Sequence, residues 1–107
     1  MTESERSLLR DAFEDAPFEF WVRDVDGRCV VANAETRRLG GVLGRTVEDA
    51  PVPREVIASW QSNNRRALAG EVVQNEFEYT VGDQKRYLKC YIVPLRIEGE
   101  IKGLLGF

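Results

Sequence analysis

The sequence predicts an α+β fold: a five-stranded antiparallel sheet with helices packed on one face and an amphipathic helix ahead of the first strand. Three observations predict it. Residues 72–107 alternate apolar and polar side chains in three runs separated by Gly82-Asp83-Gln84 and Glu98-Gly99-Glu100, the pattern of strands joined by tight turns. Two further β-rich runs, Trp21 to Val25 and Arg28 to Ala32, flank Asp26-Gly27, a strong hairpin signal. Between these groups Val56, Ile57, Trp60, Ala67 and Leu68 keep mostly to one face of a helix over residues 54–69.

Each element has its own local cause. Thr2-Glu3-Ser4-Glu5 forms a capping box, and Leu8, Leu9, Ala12, Phe13 and Ala16 follow helical spacing as far as Pro17. Residues 1–16 are therefore expected as a flanking helix and residues 17–107 as the domain. So short a helix is marginal unless it packs, and its apolar stripe calls for the sheet or a second copy, which makes a homodimer the expected assembly. Gly27 supplies the positive φ of the hairpin turn. Asn33 is a preferred helix N-cap and opens a brief helix over 33–39, closed by Gly40-Gly41. Gly44 to Pro53 reads as irregular. Pro53 then starts the main helix, and Gly70 lies just past its end.

Composition narrows the function. The chain has 107 residues, 43% hydrophobic and 31% charged, with net charge -3, which describes one ordinary globular domain. No apolar run approaches a membrane span and the acidic N-terminus is unlike a signal peptide, so a cytoplasmic location and no membrane contact are expected. Nucleic acid is not expected as a partner, because the nearest basic cluster is Arg37 with Arg38. Cys29 and Cys90 fit no CxxC pattern and read as buried thiols. The chain contains no histidine. That removes Ser-His and Cys-His pairs, HExxH zinc sites and a proximal-histidine haem.

The acidic clusters give no site. An EF-hand loop starting at Asp24 would place Glu35 at position 12, but Arg28 falls at position 5 and Cys29 at the glycine position 6. Asp24/Asp26 and Glu76/Glu78 share strand faces and read as solvated positions. No metal site, no catalytic constellation and no enzyme are therefore expected.

Four segments, taken together, carry a resemblance: "WVRDVDGRCVVANAE", "LGGVLGRTVEDAP", "NNRRALAGEVV" and "VPLRIEGEIKGLLGF". In their order and spacing the chain resembles a PAS domain over nearly its whole length. The resemblance implies a sensory module in which sheet and helices enclose a small-molecule pocket and relay a signal to an output domain, foremost in a sensor histidine kinase. The alternative it carries is a ligand-free dimerisation module attached to a diguanylate cyclase or a transcription regulator. Such domains usually end in Asp-x-Thr, whereas this chain stops at Phe107, so a fragment of a longer protein is expected. The Asn-Cys-Arg-Phe-Leu-Gln segment of the flavin-bonding branch is missing. Covalent flavin and histidine-ligated haem are thus not expected, and the cofactor is unknown.

The expected pocket lies between the main helix and the sheet. Ile57, Trp60, Phe77 and Leu88 are its expected walls, Tyr79 and Tyr91 its expected polar contacts, and Ala67 the position where a larger side chain would fill it. Asn63, Asn64, Arg65 and Arg66 read as a solvated face, able to bind an anion only if the helix turns that face inward.

Overall fold

The computed structural model describes residues 1–39 and 43–107, and the side chains of these except Leu39, Phe77, Tyr79 and Val81. The Gly40-Gly41 helix stop lies outside the described residues. In chain order come α1 (Glu3–Asp15), β1 (Trp21–Asp24), β2 (Cys29–Ala32), α2 (Ala34–Leu39), a 3-10 turn (Val47–Asp49), α3 (Arg54–Leu68), β3 (Val73–Val81), β4 (Gln84–Ile97) and β5 (Glu100–Gly106). The strands form a five-stranded sheet in the order β2-β1-β5-β4-β3, antiparallel throughout.

Local chemistry sets the boundaries. The Thr2 hydroxyl accepts from the Glu5 amide (3.1 Å) and the Glu5 carboxylate from the Thr2 amide (3.2 Å), so the capping box starts α1. The β1–β2 strands are each one residue shorter than the sequence suggests. Asp24 Oδ1 accepts from the amides of Asp26 (2.9 Å) and Arg28 (3.0 Å), which draws both residues into the turn, and Gly27 turns it at φ +84°. Asp24 thus serves the hairpin. Helix α3 ends where Gly70 N donates to Ala67 O (2.9 Å) and Glu71 N to Arg66 O (3.0 Å), a paired closure that satisfies two of the last carbonyls.

α3 covers one face of the sheet. Ala67 from α3 meets Val73, Cys90, Ile92 and Leu104, with Trp21 and Leu68 packed against them. Ile92 and Gly106 stand opposite each other, as do Gly106 and Trp21. Facing residues in an antiparallel pair share a face. The Trp21 ring lies directly over Gly106, where a Cβ would collide with it. Glycine here makes room for an indole. α1 docks separately, through Phe13 edge-on to Phe20 (4.7 Å between ring centres) and an ion pair from Glu14 to Arg37 of α2 (2.9 Å). Leu8 and Leu9 of α1 stay 70% and 57% exposed.

Candidate functional site

Beneath the middle of α3 the packing opens into a cavity of about 200 Å³. Its walls come from several elements at once. β1 contributes Trp21 and Arg23, β4 contributes Leu88, Cys90 and Ile92, and α3 contributes Trp60, Asn63 and Asn64. Val47 closes one side from the 3-10 turn, Thr36 another from α2, while Phe18, Glu19, Lys89 and Phe107 complete the lining. The parity of the strands explains five of these residues, since Trp21 and Arg23, like Leu88, Cys90 and Ile92, are two residues apart and share a face, while Lys89 joins from the opposite parity.

One buried scaffold fixes the segment leading into β1. Asn33 is fully buried; its Nδ2 donates to Phe18 O (2.9 Å), while its Oδ1 accepts from the amides of Phe20 (3.1 Å) and Thr36 (3.1 Å). The Thr36 hydroxyl accepts from the same Phe20 amide (2.9 Å). Asn33 therefore caps α2 and pins Phe18 and Phe20 in place. Gly44, at φ +79°, passes its amide to Cys29 O (2.8 Å) and ties the loop before the 3-10 turn to β2.

Two polar groups of the cavity are unusual for their depth. Asn63 is 7% exposed, and its Nδ2 has no hydrogen-bond partner. A buried donor left unpaired costs about 1–3 kcal/mol, so such atoms are rare. Arg23 is 8% exposed. Its Nη1 donates to Gly27 O (2.9 Å) and Arg45 O (3.1 Å), and among the described residues no carboxylate forms an ion pair with it. Burial lowers its pKa, with Cys29 and Glu48 nearby acting in the opposite sense. At the rim, burial raises the carboxyl of Glu19, which faces Arg86 at 3.9 Å. Burial likewise pushes the Cys29 and Cys90 thiols up, so neither favours the thiolate needed for nucleophilic chemistry.

The residues expected from sequence do not all gather here. Trp60 and Leu88 line the cavity, and Ile57 is not among the lining residues. Tyr91 is not among the lining residues either, and its ring stacks on that of Phe107 at 5.4 Å between ring centres. The backbones of Phe77 and Tyr79 stand opposite Leu88 and Arg86, while their side chains lie outside the described residues. Ala67 belongs to the packed cluster and not to the cavity. The Asn63–Arg66 stretch splits. Asn63 and Asn64 turn inward, whereas Arg65 and Arg66 are exposed and Arg66 pairs with Glu71 (3.2 Å).

Sequence reasoning did not place Arg23 at the cavity, and it placed Asn63 there only if the helix face carrying Asn63 to Arg66 turned inward. The signal was present: Arg23 is two residues from Trp21 on one strand face, and Asn63 lies three after Trp60 and four before Ala67, the helical spacing of one stripe.

A family model for the PAS fold matches residues 13–107. Among solved structures, VqmA bound to DPO is similar over 94% of this chain and 56% of its own, with TM-score 0.81 and 22% identity. A Vibrio cholera VqmA–ligand–DNA complex is similar over 100% of this chain and 50% of its own, with TM-score 0.80 and 23% identity. The PAS domain of Bordetella pertussis BvgS has TM-score 0.69 at 23% identity, covering 96% of this chain and 82% of that one. The chain thus spans about half the length of the VqmA structures it resembles. No curated protein matches it.

Proposed function

Because the chain belongs to the PAS family, we propose that it is a sensory module that binds a small molecule in the cavity beneath α3 and passes the binding event to an output domain of a longer protein. The observation that carries this reading is the cavity itself, apolar on most sides, with a buried donor that has no partner. Concave apolar volumes with a few polar groups are the usual form of a ligand site. On this reading the domain is not an enzyme.

The output and the assembly belong to the same proposal. A sensor histidine kinase as parent rests on the sequence resemblance. A DNA-binding receptor is supported by the VqmA structures, which include a ligand–DNA complex and a dimer on a chain about twice as long. This segment itself does not touch nucleic acid on our reading. Its net charge is -3, and Arg37 and Arg38 are engaged by Glu14 and Glu35. It self-associates through α1, for which the exposure of Leu8 and Leu9 is the support.

The test is native mass spectrometry of freshly purified protein, followed by a thermal-shift screen of small metabolites on the wild type and on Cys90→Phe. A ring at position 90 fills the cavity from β4. Metabolites that stabilise the wild type and lose their effect in Cys90→Phe support the reading. Stabilisation of both proteins alike, or a screen without a single hit, overturns it in favour of a ligand-free dimerisation module.

A further inference from the structure

The lining of the cavity constrains a guest in size, shape and charge. An enclosed apolar cavity of about 150 Å³ is enough to hold benzene, so about 200 Å³ has room for one six-membered ring and a small substituent. Two indoles, Trp21 and Trp60, stand in its walls, and aromatic faces and edges favour flat aromatic guests. The charged residues of the lining are Arg23 and Lys89 against Glu19 alone, and Glu19 already faces Arg86.

The polar groups point the same way. Asn63 Nδ2 is a donor without an acceptor. The Arg23 guanidinium is a buried cation that donates to two backbone carbonyls, both reached from Nη1. A guest offering hydrogen-bond donors would leave Asn63 Nδ2 unpaired and bring no countercharge. A guest offering an anionic oxygen would supply both, and hydrogen bonds to charged acceptors are roughly twice as strong as neutral ones.

We propose that the cavity takes a single-ring aromatic or heteroaromatic acid, its ring against Trp21 and Trp60 and its carboxylate answering Asn63 Nδ2 and the Arg23 guanidinium. The proposal rests on the reading of this cavity as the ligand site and adds the ligand's chemical class. It also gives a reason for a buried amide that the empty protein leaves unpaired.

The experiment is calorimetric titration of the 107-residue chain with benzoate, its uncharged counterpart benzamide, and toluene. Benzoate binds the wild type at least about tenfold more tightly than benzamide, the size expected for one added hydrogen bond to a charged group. Asn63→Leu removes most of that preference while raising the melting temperature of the empty protein, a pairing that a purely structural role for Asn63 would not give. Because Arg23 also ties the hairpin to Arg45, Arg23→Lys serves as the milder second variant: it keeps the charge, and benzoate binding persists at reduced affinity. Benzamide or toluene binding as tightly as benzoate overturns the acid class and leaves the cavity standing as a ligand site. Failure of all three rings to bind overturns the cavity reading along with it.

Discussion

The two halves of the space under α3 are built from one helix and one sheet, yet they end differently. Toward the C-terminal end, Ala67 brings the helix close enough for Val73, Ile92 and Leu104 to fill the gap, and Ala67 and Leu104 are completely buried. Toward the middle of the helix, Trp60 and Asn63 hold the same surfaces apart over about 200 Å³. The difference lies in side-chain size and polarity at positions of one helical stripe. Packing in the first half stabilises the fold, while the second half forgoes contacts and leaves Asn63 Nδ2 without a partner.

The largest expected effect comes from breaking the packed half. Leu104→Ala removes a fully buried side chain and should cost about 2–5 kcal/mol, read as a drop in the urea midpoint. Leu88→Ala on the cavity side, where part of the side chain already faces empty space, should cost less than about half as much. Equal losses would erase the distinction between the halves.

Gly106→Ala should come next, at about 1–3 kcal/mol. The added Cβ meets the Trp21 ring, and the ring has the cavity to move into. Tryptophan fluorescence should shift and the thermal response to any cavity ligand should vanish. An unchanged spectrum would mean that the ring has another way out.

Asn63→Leu acts in the opposite direction, removing an unpaired buried donor in favour of apolar contact. A stabilisation of about 1 kcal/mol is expected for the empty protein, and a loss in its place would show that Asn63 is paired in solution.

The smallest effect concerns pH. Hydrogen bonds from the side chains of Thr46 and Gln61 hold the Glu48 carboxyl well below the ordinary carboxylate value, at about 2, with Gln61 Nε2 at 2.7 Å. A carboxyl whose folded pKa is depressed contributes stability that is complete above its unfolded pKa and lost as pH falls toward the folded one. The 3-10 turn should therefore loosen from α3 between about pH 4.5 and pH 2. Glu48 is exposed, so solvent screening reduces the contribution to about 1 kcal/mol or less. Glu48→Gln should flatten the acid limb of the stability curve by that amount.

Most of the fold was legible because it is written in short-range chemistry. The capping box at Thr2, the turn glycine Gly27, the cap at Asn33 and the Gly70 closure of α3 each depend on a few neighbouring residues, and the strand alternation from Val73 to Gly106 depends on period alone. The site was legible only where burial follows hydrophobicity, as at Trp60 and Leu88. Asn63 was grouped with Asn64, Arg65 and Arg66 because the four are contiguous, although the helical period separates them. Arg23 escaped although its spacing from Trp21 puts it on the inward face, because an arginine is seldom buried and one of its two carbonyl partners, Arg45 O, lies 22 residues further along the chain. Tyr91 was drawn into the pocket by its hydroxyl, whereas Cys90 and Ile92 on either side of it line the cavity.

The central place of β5 sets a schedule for the newborn chain. β1 pairs with β5 across the middle of the sheet, Trp21 opposite Gly106, so the first hairpin emerges from the ribosome long before its inner neighbour exists. At typical elongation rates of 5–20 residues per second, the stretch from β2 to the end of β5 takes about 4 to 15 seconds to make. Throughout that interval β1 has an open edge and Trp21 has no Gly106 to cover. A pause in translation after β4 would prolong it, and the nascent chain would be most exposed to mispairing and to chaperone capture in that window.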